Sequence, residues 1–264
     1  MALALRSAVG SDVGRQRARN QDSAAAGRRL VSVADGMGGH AHGELASALT
    51  VAALSDLDDA LPTDLHDIDL ASALFNGLAD AAHRLDERAS RDPALRGMGT
   101  TAVALLLDDT RLGVLHIGDS RIYRLRDGVL SQLTHDHTVV QALVDEGRLT
   151  REEAMTHPRR SVLLRALQAG HAPDPDVCVI DAAPGDRYLL CSDGVTAVLT
   201  DESMHEVLVS VDDRAEAVER LIALANEAGG PDNITCVVAD VLEGPISEEP
   251  RIVVGAAAEA SEPA

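Results

Sequence analysis

Short apolar runs punctuated by Gly, Pro and Asp recur along the chain, at residues 29–34, 101–107, 111–117, 120–125, 177–181, 187–191 and 234–241. Each is rich in Val, Ile and Leu and too short for an independent helix, so each is expected to be a strand. A different period governs the segments between them. Leu70, Leu74, Leu78, Ala81 and Leu85 recur at intervals of three and four, which sets them on one face of a helix over about 68–90. A companion helix is expected over about 43–58, and another over 213–227 with Val218, Leu221, Ile222 and Ala225 inward. Val139 and Leu143 mark one more. Thr150 followed by Glu153 fits a capping box, in which each residue satisfies a free backbone N–H of the other.

The order of these elements bears on the fold. Two long helices fall early and consecutive strands follow from 101 to 132, which is not the alternation of a parallel doubly wound sheet. Grouped strands and grouped helices favour an α+β arrangement of antiparallel sheets with helices layered on them. No internal repeat is visible. From residue 243 to 264 the chain turns rich in Ala, Glu and Pro, and a disordered tail is expected there.

Charge narrows the chemistry. The 264 residues carry 43 acidic against 23 basic side chains, a net of −20, and every basic residue is arginine. Without lysine there is no Schiff base, no phosphate-gripping lysine of a nucleotide loop and no kinase strand lysine. Phe75, Tyr123 and Tyr188 are the only aromatic residues. An acidic chain so poor in stacking platforms is not expected to bind nucleic acid. No apolar stretch approaches the roughly 18 residues of a membrane span, and MALALRSAVGSD lacks the apolar centre of a signal peptide. Cys178, Cys191 and Cys236 lie scattered in apolar runs without CxxC spacing. They are expected to be buried thiols of a cytoplasmic protein, with no disulfide or zinc site.

The aspartates carry the informative pattern. Asp35, Asp119 and Asp193 each end an apolar run, and Asp232 precedes one. Any one of them can be a turn residue, since Asp-Gly is a common turn pair. If all four converge, their mutual repulsion requires cations among them, and oxygen-only ligands point to Mg²⁺ or Mn²⁺. Other readings are weaker. DGMGGHAHGE gives neither G-x-G-x-x-G in register nor G-K-[ST], and no DxDxDG calcium loop occurs. His40 and His42 lack zinc-site partners. The six aspartates between Asp56 and Asp69 read as a solvated surface. Metal-assisted hydrolysis is the chemistry that suits these residue types.

The segments SDVGRQRARNQDS, VADGMGGHAHGE, GMGTTAVALL, HIGDSRIYRL, LTHDHTVVQALVDEGRLTREEAMTHP, LLCSDGV and GGPDNIT, in this order, resemble the bacterial metal-dependent protein phosphatases of the protein phosphatase 2C (PPM) family. The resemblance covers residues 5 to 241. It implies a four-layer αββα sandwich, two central antiparallel sheets flanked by helix pairs, forming one catalytic domain over 1–242 with a flap at about 133–170. It implies hydrolysis of phosphoserine and phosphothreonine by a water bridging two Mn²⁺ or Mg²⁺ ions, with a third ion in bacterial relatives. By position, Asp35 would bridge both ions and Gly36 would offer its carbonyl. Asp193 and Asp232 would complete the first ion's ligands, Asp119 would serve the third, and Arg17 would take the phosphate. Asp22 would support Arg17 or an ion's water, and His40 could approach the missing proton donor.

The implied partners are phosphorylated proteins, with Ser/Thr kinases as the opposing activity; no nucleic acid or membrane partner is implied, and a monomer is expected. Three positions depart from the family pattern. Gln21 stands where glutamate is common, Met37 where eukaryotic members place a histidine, and RALQAG replaces RALG. The neutral Gln21 leads to an expectation of weaker binding of the second ion, and it is the one feature favouring a catalytically silent binding scaffold instead.

Overall fold

Two antiparallel sheets stack face to face between two pairs of long helices. The computed structural model describes residues 2–37, 42–62 and 64–260. The chain enters through β1 (Leu3–Asp12), β2 (Asp22–Ala26) and β3 (Leu30–Met37), then forms the antiparallel helices α1 (Gly43–Ala60) and α2 (Leu70–Arg91). A run of strands follows: β4 (Gly99–Thr100), β5 (Ala102–Asp108), β6 (Arg111–Ile117), β7 (Arg121–Arg126) and β8 (Val129–Gln132). The segment 133–170, expected to form a flap, carries α3 (Val139–Asp145), α4 (Arg151–Met155) and β9 (Leu167–Gln168). The chain then returns through β10 (Asp176–Asp181), β11 (Arg187–Cys191), α5 (Asp193–Thr196), α6 (Asp201–Ser210) and α7 (Arg214–Glu227). It ends in β12 (Ile234–Glu243), β13 (Ile252–Gly255) and α8 (Ala256–Glu259).

One sheet runs β1-β12-β11-β7-β8, and the other β10-β6-β5-β3-β2-β13, with β4 branching from β3 and β9 pairing with β4. Strand alternation explains why the central strands read as unbroken apolar runs. Ala102, Ala104 and Leu106 of β5 face α1 and α2, while Val103, Leu105 and Leu107 face the other sheet. In β12, Val237, Ala239 and Val241 join the layer between the sheets, and Ile234, Cys236 and Val238 meet α6 and α7. Both faces of each sheet are therefore covered, and each fully buried leucine contributes about 2 kcal/mol. The four-layer α+β sandwich implied by the resemblance is the fold observed.

Most expected elements are present, including the capping box of Thr150 and Glu153 at α4. Three features differ from expectation. Residues 252–260 do not form a disordered tail: Ile252–Gly255 pairs with Ala26–Ser23 of β2, and α8 packs against α1. The apolar IVVG finds an open sheet edge, and Arg251 anchors it on Asp58 and Asp59 at 3.4 and 2.8 Å. Asp58 is accordingly buried, unlike its solvated neighbours in the acidic cluster. Cys178 is exposed on edge strand β10, whereas Cys191 and Cys236 are buried, and all three are free thiols. No helix among the described residues is long and apolar enough to cross a membrane.

Candidate metal centre

Four chain segments deliver the aspartates to one rim of the sandwich. Asp35 lies in β3, opposite Asp22 of β2 in the strand register. Asp193 opens α5 directly after β11, Asp119 sits in the turn between β6 and β7, and Asp232 immediately precedes Asn233 and β12. Their convergence is recorded in their electrostatics. Burial drives Asp35 well above the usual carboxylate range, and Asp22, Asp193, Asp119 and Asp232 push it further. Asp193, also desolvated and facing Asp232, rises to about 6 even though it lies within hydrogen-bonding reach of Asp35. Asp119 rises to about 8 through burial, Asp193 and Asp136. These three carboxylates are half-buried and keep some solvent contact.

Asp22 is the best covered of the group. It is 1% exposed; its Oδ2 accepts the Ser192 hydroxyl at 2.8 Å, and Oδ1 has no partner. Burial raises it to about 7 against the Ser192 bond, with Asp193 and Asp232 adding to the rise. Asp193 Oδ1 is likewise buried without a partner. Orphaned anionic oxygens at a convergence of carboxylates fit hard divalent cations, which take oxygen ligands and neutralise the repulsion. On these observations the donor set suits Mn²⁺ or Mg²⁺.

The Asp-Gly pairs prove not to be simple turn signals. A Cβ on Gly36 would lie 2.1 Å from Gly43 O and 2.5 Å from Gln21 O, so only glycine lets the start of α1 close over β2 and β3 here. A Cβ on Gly194 would fall 1.9 Å from Asn233 O. Both glycines are needed for the close approach that brings the acidic segments together.

Arg17 reaches the rim from the loop after β1, where its Nη2 donates to Asp232 Oδ2 at 2.6 Å. Its partner is thus Asp232, and Asp22, expected to support it, is committed to Ser192. Asn233 fixes that loop: its Nδ2 donates to Val13 O and Arg19 O, both at 2.9 Å, and its Oδ1 accepts Gln21 N–H. Asn233, Ser192 and Thr101, whose hydroxyl accepts Asp35 N–H at 3.0 Å, escaped the sequence reading. Small polar residues beside buried strands carry no pattern that marks them. His40 lies outside the described residues. A groove of about 560 Å³ between α6 and α7 is lined by Glu206, Glu216, Glu219 and Arg220 and contains none of these aspartates.

Gln21 has a defined role in this setting. Its amide Nε2 donates to Glu44 Oε2 at 2.9 Å, and its carbonyl accepts Gly36 N–H. Burial opposes ionisation of Glu44, yet the bonds from Gln21 and His42 hold its carboxyl below the usual range. A glutamate at 21 would put a second carboxylate against Glu44. Gln21→Glu is therefore expected to tighten the weaker-binding Mn²⁺ ion by about tenfold, by adding an anion near the cluster. Calorimetric titration of both proteins checks this, and equal affinities would refute it.

Comparison with known proteins places this geometry. A sequence profile of protein phosphatase 2C matches residues 9–238. The chain is 49% identical over 256 residues to the serine/threonine protein phosphatase PstP of Mycobacterium tuberculosis, covering 97% of this chain and 49% of that protein. It thus spans about half the length of that curated relative. The serine/threonine phosphatase stp of Listeria monocytogenes is 36% identical over 235 residues, covering 87% of this chain and 93% of the other. The catalytic domain of PstP, solved in complex with two manganese ions, superposes with a TM-score of 0.84 at 49% identity, covering 91% of this chain and all of that one.

Proposed function

The chain belongs to the protein phosphatase 2C family, and from that premise we propose that it hydrolyses phosphoserine and phosphothreonine in proteins, using Mn²⁺ or Mg²⁺. The observation that carries this reading is the meeting of Asp35, Asp119, Asp193 and Asp232 beneath a guanidinium held on Asp232. Asp35, the Gly36 carbonyl, Asp193 and Asp232 would hold two ions, and Asp119 would serve a third. When bound, these ions make a water nucleophilic near neutral pH and offset the charge that develops on the phosphoryl oxygens.

The protein's own groups do the rest. A phosphate dianion cannot approach this group of carboxylates while its charges are unbalanced. Arg17 supplies a planar fork that matches two phosphate oxygens, and its bond to Asp232 fixes the direction of that fork. Lysine would keep the charge and lose the fork. Arg17→Ala is expected to lower kcat/KM on a phosphothreonine peptide by about a hundredfold, the equivalent of one or two charge-assisted hydrogen bonds. Arg17→Lys should recover only part of it. Steady-state kinetics with Mn²⁺ decide the matter, and wild-type kcat/KM in the alanine variant would remove Arg17 from the site.

The binding-scaffold alternative loses its main support, because Gln21 is matched by Glu44 and the carboxylates converge. Turnover of p-nitrophenyl phosphate and a phosphothreonine peptide with Mn²⁺, with Mg²⁺ and with EDTA tests the reading directly. No metal-dependent release of phosphate would overturn it. We further place the protein in the cytoplasm, as a monomer that opposes Ser/Thr kinases in signalling. Its acidic surface and free thiols suit that setting.

A further inference from the structure

The flap and the Asp119 turn meet at one buried side chain. His137 follows Asp136, which clasps Arg121 of β7 through both carboxylate oxygens at 2.7 to 3.1 Å. His137 then bonds Gly118 twice. Its backbone N–H donates to Gly118 O at 2.8 Å, and its Nδ1 accepts Gly118 N–H at 3.2 Å. An Nδ1 that accepts puts the ring proton on Nε2, and Nε2 lies 3.0 Å from Asp176 Oδ2 at the start of β10. Asp176 in turn takes Arg165 of the flap at 2.8 Å.

The same residue closes the base of the flap. His137 O accepts Leu164 N–H at 2.7 Å, Val139 N–H donates to Val162 O at 2.9 Å, and Thr138 bridges to Leu163. The entering and leaving segments of the flap are thus zipped together beside His137. Gly118 cannot be held from its own side chain. Its φ is 108°, and a Cβ there would lie 2.5 Å from the Thr101 side chain. His116 packs on His137 with ring centroids 4.4 Å apart, and its buried ring nitrogens have no partner in hydrogen-bond geometry. Desolvation lowers the pKa of both rings, which favours their neutral forms.

We propose that His137 is a positioning residue that couples the flap to the Asp119 carboxylate, gripping Gly118 on one side and Asp176 with Arg165 on the other. The consequence for a bound ion at Asp119 rests on the phosphatase reading; the coupling itself does not. A cation held by His116, His137 and Asp176 is the competing occupant, since their ligand atoms lie within 4.8 Å of one another. Binding through Nε2 would move the ring proton to Nδ1, where it would face the Gly118 N–H with no acceptor between them. The observed bonds therefore favour the positioning role.

Amide hydrogen exchange on the metal-free full chain tests the coupling. In His137→Ala, exchange at Gly118 and at residues 162–164 should rise by roughly tenfold, the effect of one lost hydrogen bond, while the central strands stay protected. His137→Asn keeps an acceptor near the Nδ1 position, and should restore protection at Gly118 but not in the flap. Mn²⁺ calorimetry should show the weakest ion's affinity fall about tenfold in His137→Ala with the tighter ions unmoved. Unchanged exchange at Gly118, or a uniform rise over the whole molecule, would overturn the proposal. So would Zn²⁺ binding to the wild type that frees the Gly118 amide, which would make the cluster an ion site. Local loss of protection with an unmoved Mn²⁺ titration would break the link to Asp119. Absent hydrolysis in the wild type would instead count against the phosphatase reading, leaving the exchange result intact.

Discussion

Asp35→Asn is expected to lower kcat/KM at least about a thousandfold, the loss of roughly 4 kcal/mol of metal-borne transition-state stabilisation. Asp35 stands at the centre of the acidic group, because every other member of it raises its pKa. An amide there retains shape and one acceptor oxygen but withdraws the charge that binds cations. The same change should make the metal-free protein more stable. It removes a desolvated charge from among like charges, and β3 keeps its backbone bonds to its neighbours. Opposite signs for activity and metal-free stability form a signature that a structural role would not give. Activity assays with Mn²⁺ and urea unfolding in EDTA supply the two numbers. A destabilised Asp35→Asn would mean that the carboxylate is a structural group.

Metal removal should also invert the dependence of stability on pH. Asp22 near 7, Asp119 near 8, Asp193 near 6 and Asp35 well above its ordinary value all bind protons more tightly folded than unfolded. For groups raised in this way, stability is greatest below the unfolded carboxylate value near 3.8 and is lost as pH rises through the folded values. In EDTA, stability should therefore fall between pH 5 and 8, by on the order of 3 kcal/mol, about two pKa units' worth.

With Mn²⁺ the slope should reverse, because the ions bind the deprotonated carboxylates. Saturation at about 100 times Kd alone adds about 2.7 kcal/mol. His116, lowered to about 3, works in the opposite direction below roughly pH 6.5, where the unfolded ring binds a proton that the folded one does not. Asp35→Asn carries the same histidines, so its difference from wild type isolates the acidic cluster. Urea unfolding at pH 5, 6.5 and 8, with EDTA and with Mn²⁺, gives the slopes. Parallel slopes under the two conditions would show that the carboxylates do not bind the ions.

Much of the scaffold could be read along the chain. The run at 101–107 became β5 because a short apolar run suits a strand covered on both faces, and the Leu70–Leu85 periodicity became α2 because its buried residues recur every three and four. Strand β1 was missed, since LALRSAVGSD alternates only weakly and gains its pairing from ten partners on β12. The tail was misread for the same reason. IVVG is a four-residue strand with no local support, and it is ordered because β2 leaves an edge free. Composition reports local preference, whereas edge pairing is a property of what lies alongside.

The residue types of the site belong to the sequence alone. Strand-end aspartates, an arginine-only set of cations and ordered family segments fixed the class of chemistry, because oxygen ligands and a guanidinium have few other uses together. Only the tertiary structure decided which carboxylates share a charge problem, that Arg17 leans on Asp232 rather than Asp22, and that Gln21 answers Glu44. Those outcomes depend on distances between residues up to 215 positions apart in the chain. Coulombic and hydrogen-bond energies depend on separation in space, and it is the packing of the two sheets that sets that separation.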